Sequence, residues 1–82
     1  MISLSDAENI VKEARGVIYD SYEEFVDLYL FYDNEELGSF GGYNAPVVIE
    51  KATGNMWGLN AFAVKFPKLL DEKKFVTAGL VA

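Results

Sequence analysis

Cysteine and histidine are both absent from this chain of 82 residues. Without cysteine there is no disulfide framework and no thiol nucleophile. Without histidine as well, a zinc site is not expected, because carboxylates alone make poor zinc ligands. Long apolar runs are also missing. The longest, Leu28-Tyr29-Leu30-Phe31-Tyr32, is strand-sized and falls far short of the ~20 residues that span a bilayer. The opening residues, Met1-Ile2-Ser3-Leu4-Ser5-Asp6, show no basic n-region and no apolar h-region, so no secretory signal is expected. These absences point to a cytoplasmic protein with no membrane partner.

What is present suffices for one small core. Hydrophobic residues make up 51% and aromatics 15% of the chain. That is enough apolar material for a single domain over residues 1–82, near the lower size limit for a self-sufficient core. The formal net charge of −6 is unevenly placed. Residues 1–41 hold ten acids and two bases, whereas residues 42–82 hold three acids and five bases. An acidic half repels phosphate backbones, so nucleic acid is not expected as a ligand. The same charge would speed encounter with a basic protein, although plain solubility accounts for it equally well.

Ser5-Asp6-Ala7-Glu8 has the spacing of a capping box. Ala7, Ile10, Val11 and Ala14 then recur at helical spacing, and Gly16 is a natural stop. The spacing predicts a helix over 6–15, lying on a sheet along a narrow apolar stripe. Val17-Ile18-Tyr19 reads either as a short strand or as a continuation of the helix path. Asp20-Ser21 is turn-like. From Glu24 to Tyr32 the residues are strand formers. Val26, Leu28, Leu30 and Tyr32 share one face, expected to meet the helix. Phe25, Asp27, Tyr29 and Phe31 share the other, expected to be partly wet. So apolar a strand belongs in the middle of a sheet. Residues 33–43 read as a loop.

Pro46-Val47-Val48-Ile49-Glu50 reads as a strand, with proline at its start, where a missing N–H does least harm. Ala52-Thr53-Gly54 fits a hairpin loop with glycine at the left-handed position, and Met56 and Trp57 begin the return strand. Pro67 is favoured at the first position of a helix and costly inside one. A helix from Pro67 to Lys74 is therefore predicted, with Leu69 and Leu70 inward and residues 60–66 as an extended connector. The apolar stretch 75–81 reads as a short strand or a docked tail. The fold class that results is α+β: a small antiparallel sheet of three to four strands with an N-terminal helix and a short C-terminal helix packed on it.

Three groups of side chains bear on function. The carboxylates of Asp20, Glu23, Glu24, Asp27, Asp33, Glu35 and Glu36 lack the alternating spacing of a calcium loop. They read as a solvated face or a binding surface. The aromatics Tyr29, Phe31, Tyr32, Phe40, Tyr43 and Trp57 divide between core and contact roles, with Tyr43 and Trp57 the contact candidates beside glycine-rich stretches. Gly38-Ser39-Phe40-Gly41-Gly42 lacks the Gly-Lys-Ser/Thr of a phosphate loop. No nucleophile–base set is visible, so no enzyme activity and no cofactor are expected.

The order of parts resembles a known family. An N-terminal helix opens on Ile2-Ser3-Leu4-Ser5-Asp6-Ala7, and the aromatic strand Leu28–Tyr32 follows. Then come Asn44-Ala45-Pro46-Val47-Val48-Ile49-Glu50-Lys51, Thr53-Gly54, and a proline-started helix. This is similar to the YrhB-like domain family, also called immunity protein family 35, small bacterial α+β proteins. The chain departs from that pattern in a longer connector from Gly54 to Pro67, in lacking a Gly-Thr after the return strand, and at Trp57. The resemblance implies a bacterial immunity protein that neutralises a toxin by stoichiometric protein binding; the acidic charge adds that a basic toxin domain would suit it as partner. A chaperone-like or scaffold domain is the alternative it leaves open. The expected partner-binding residues are Asp27, Asp33, Glu35, Glu36, Tyr43 and Trp57.

Overall fold

The computed structural model describes residues 1–16, 19–33 and 46–81. The first helix, α1, spans Leu4–Arg15. Its cap lies two residues before the expected one. Ser3 Oγ accepts from the Asp6 N–H at 3.2 Å, and an Asp6 carboxylate oxygen accepts from the Ser3 N–H at 3.3 Å. Asp6 can therefore close the box in place of Glu8, because its shorter side chain still reaches back one turn. Gly16 ends the helix in the left-handed conformation, as expected.

The strands are β1 (Ser21–Phe25), β2 (Leu28–Tyr32), β3 (Val47–Glu50), β4 (Met56–Gly58) and β5 (Phe75–Leu80). They form one antiparallel sheet in the order β4-β3-β2-β1-β5. The expected α+β architecture holds, with five strands rather than three to four. One extra strand is β1, which begins at Ser21, expected to be turn-like, and takes Glu24 and Phe25 from the run that reads as one strand. Residues 24–32 turn back at Val26-Asp27, pairing Glu24 with Tyr29 and Glu23 with Leu30. Nothing local announces that turn. No described residue other than glycine has a positive φ, and the Val26 N–H is held from outside by the Lys74 carbonyl at 2.9 Å. The tail takes the strand option as β5, which pairs with β1. As expected, β2 is central.

The helices cover both faces of the sheet. Ala7 and Val11 of α1 pack with Tyr29, Phe31, Val47 and Ile49. The α1 face is thus the Tyr29/Phe31 face, the reverse of the expected side. The other face, with Leu28 and Val48, is covered by two helices, α2 (Leu59–Lys65) and α3 (Pro67–Glu72). Both faces of β2 are therefore covered, with Leu28, Tyr29 and Phe31 buried and Leu30 and Tyr32 partly so, and Asp27 sits in the turn rather than on a face.

Residues 60–66, expected as an extended connector, belong mainly to α2. Pro67 is at the first position of α3, as predicted. It does not exclude a helix before it, because a single residue separates the two. Phe66, at φ −129° and ψ 59°, has left the helical region, as the residue before proline tends to do. It closes α2 through its N–H to the Phe62 carbonyl and opens α3 by accepting from the Leu70 N–H. Lys73 Nζ then donates to the Leu70 carbonyl at 2.9 Å, satisfying one of the last carbonyls of α3.

The β3–β4 hairpin forms as expected, with Val48 opposite Trp57 and Ile49 opposite Met56. Gly54 has φ 76° and its N–H donates to the Glu50 carbonyl at 2.8 Å. A Cβ there would also stand 3.4 Å from Ile10 Cδ1. Gly54→Ala is expected to cost about 1–2 kcal/mol, since a left-handed conformation is strained for an L side chain. Urea unfolding measures it; an unchanged midpoint would show that this turn can relax.

Candidate functional site

Lys51 is the centre of the best-defined polar cluster. It lies in the β3–β4 turn and is only 7% exposed. Its Nζ is 2.7 Å from Glu24 Oε2 on β1 and 4.8 Å from the ring centroid of Tyr29 on β2. Its N–H donates to the Asp27 carbonyl at 3.0 Å, and its carbonyl accepts from the Ile2 N–H at 3.1 Å. A buried ammonium needs such partners, because desolvation without them is costly. Outside this knot, Met1, Asp27, Glu50, Lys51, Ala52 and Leu69 line an open groove of about 330 Å³.

The described site residues fall in three places. Asp27 is exposed in the β1–β2 turn, at the rim of this groove. Asp33 follows β2 at its far end, where its Oδ1 accepts from the Asp20 N–H at 2.9 Å. All of β2 separates these two acids, roughly 20 Å at strand spacing, so they do not share a site. Trp57 is half-buried on β4. Its Nε1 donates to Glu50 Oε2 at 2.6 Å, and its ring meets Phe66 edge-to-face with centroids 5.5 Å apart. Lys65 Nζ lies 5.7 Å from the same ring. The indole N–H is thus used within the fold, leaving only ring surface for a partner. Glu35, Glu36, Tyr43 and the expected loop over 34–43 lie outside the described residues.

Sequence reasoning missed two features. One is the Lys51–Glu24 pair, which joins residues that are separated in the chain and look like ordinary surface charges. The other is a set of exposed apolar side chains where the β1–β2 turn meets the start of β5. Val26 follows β1, and Phe75 and Val76 begin β5; Phe75 is 61% and Val76 51% exposed. The signal for the second was the apolar stretch 75–81, which has too few partners left once the other strands are paired.

Two tyrosines are held protonated. Burial pushes the Tyr29 hydroxyl above its ordinary 10.0; Glu24 adds to this and Lys51 opposes it. That hydroxyl also lies 3.4 Å from the Ile2 carbonyl, to which it donates. Burial likewise raises Tyr19, with Arg15 opposing and Asp33 assisting. Among the described residues no three metal-ligating side chains gather, and no helix is long and apolar enough to cross a membrane. No family model, curated protein or solved structure matches the chain.

Two outcomes follow from this geometry. Lys51→Met should cost on the order of 2 kcal/mol by leaving Glu24 without its charged partner. Adding Glu24→Gln should recover part of that loss; strictly additive losses in urea would mean that the two side chains are uncoupled. For the tyrosines, a folded pKa above the unfolded one stabilises the protein below pH 10.0. That contribution fades as pH rises through the folded values, because the unfolded chain gives up its protons first. Absorbance at alkaline pH should show a late ionisation step, removed by Tyr19→Phe with Tyr29→Phe. A single step for every tyrosine at the ordinary value would contradict it.

Proposed function

We propose that the chain is an immunity-type protein, a folded inhibitor that neutralises a basic toxin domain by one-to-one binding in the cytoplasm. Its role is to occlude, and no chemical step is assigned to it. The observation that carries this reading is the exposure of Val26, Phe75 and Val76 where the β1–β2 turn meets the start of β5, with Asp27 next in the turn. The Val26 N–H donates to the Lys74 carbonyl, which draws the turn and the start of β5 together. Apolar surface next to polar residues is the usual composition of a protein-binding patch. The negative charge, concentrated in residues 1–41, favours a basic partner and speeds its approach. The resemblance set out above supplies the class of partner.

The test is titration of the purified chain against the toxic protein encoded immediately upstream of it. One-to-one stoichiometry, loss of toxicity and an affinity that weakens with salt are expected. Protection of unrelated unfolded proteins without such a complex would assign the chaperone role instead. Within that complex, reversing Asp27, Glu35 and Glu36 to lysine should weaken binding by about tenfold or more, with the unfolding midpoint unchanged. An unaltered affinity would remove these three acids from the interface.

A further inference from the structure

The sheet has two edges, and they differ. On one side β4 is three residues long and runs directly into α2. On the other, β5 is six residues long, uncharged and free of proline, and no described strand lies beyond it. Leu80 is 77% exposed. Natural sheets usually guard such an edge with charge, proline, bulges or a covering element. Here the guards stand at one end only. Lys73 and Lys74 precede the strand, and its register against β1 shifts between Glu24 and Phe25. Residues 77–80 carry none.

The direction of the open groups follows from the ladder. The Val81 N–H donates to the Asp20 carbonyl at 2.9 Å. Because antiparallel pairs alternate, Gly79 and Thr77 then bond to β1, and the N–H and C=O groups of Ala78 and Leu80 point outward. The same phase recurs across the sheet, in Lys51 N–H to Asp27 and Glu50 N–H to Asn55.

Charge selects what would fill the edge. Glu23 lies opposite Ala78 on the neighbouring strand. A residue facing Ala78 on an added strand would be two strand spacings from Glu23, ~10 Å. A lysine or arginine can cross that distance over the single methyl of Ala78. A second copy of the chain would bring another net charge of −6 and an uncharged β5, with no cation to meet Glu23. We infer that β5 is a docking edge that takes up an extended basic segment of a partner protein as a sixth strand, with a lysine or arginine laid over Ala78 toward Glu23. Backbone hydrogen bonds supply the binding and the charge supplies the selectivity. This rests on the reading of the chain as an inhibitor of a basic protein and names how the partner is held.

The probe is a peptide of about eight residues alternating lysine and valine, with a glutamate–valine peptide as control. Added to the full chain, the first should slow hydrogen exchange at Ala78 and Leu80 by about tenfold or more, and the second should not. Ala78→Pro removes an N–H that β1 does not use, so it should keep the fold and abolish binding. Leu80→Lys is the second variant and should weaken binding by about tenfold. Glu23→Gln should remove the preference for the basic peptide. Absence of binding, equal binding of both peptides, or full binding by Ala78→Pro would overturn the proposal. So would a free protein that is already dimeric with those two amides protected. If Ala78→Pro neutralises the toxin at undiminished affinity, the edge is not used and the inhibitor reading survives. If no toxin is bound but the peptide results hold, the reverse is true.

Discussion

The buried ammonium of Lys51 is the constraint around which the rest is arranged. Its side chain ties to Glu24 and lies over the Tyr29 ring, while its backbone holds the Asp27 carbonyl and the Ile2 N–H. Five segments therefore meet at one residue: the N-terminus before α1, β1, the β1–β2 turn, β2 and the β3–β4 turn. Apolar packing between α1 and the sheet is tolerant of small displacements, because dispersion is non-directional. A buried charge is not tolerant. It is stable only where its partners are, so it specifies which turns lie side by side. The antiparallel order of β1 to β4 brings both hairpin turns to one end of the sheet, and Lys51 ties them and the chain start together there.

That constraint also explains where the sequence was legible. The α1 stripe, the Gly16 stop, the Thr53-Gly54 turn and the helix start at Pro67 are local features, each decided by residues a few positions apart. They appear in the structure as expected, apart from the exact capping pair and Ala14, which is exposed at the end of the stripe. The turn at Val26-Asp27 was hidden because no glycine or asparagine marks it. It is made by bonds from Lys51 and Lys74, both distant in sequence. The side of β2 that meets α1 was misassigned through Asp27, which suggested a wet face but belongs to the turn. The helix α2 was hidden by treating Pro67 as a bar to helix on both sides, when Phe66 alone provides the break. Of the candidate site, the excess of acid was legible. Its division between opposite ends of β2 was not, because that depends on the same hidden turn.

The two faces and two edges of the sheet have different roles. Helices cover both faces over β2 and β3, where Leu28, Val47, Val48 and Ile49 are fully buried. Protection decreases toward β5, where four of six residues in sequence are exposed before Gly79. The net result is a covered central region with an exposed margin. Such a margin is compatible with stability because its strand is anchored by β1, and compatible with binding because no described strand pairs with its outer side.

The pairing of β1 with β5 has a kinetic meaning as well. Their partner residues are fifty or more positions apart, whereas each of the β1–β2 and β3–β4 pairs closes through a short turn. Closing a long loop costs more entropy than closing a short one, and contacts of high sequence separation slow folding. The hairpins and α1 can therefore assemble while the last strand is still searching. During that interval the exposed flank of the growing sheet is β1, with Glu23 along it. A carboxylate in the middle of that strand discourages pairing with neighbouring nascent chains of the same kind, which makes β1 a safer temporary margin until the uncharged strand arrives.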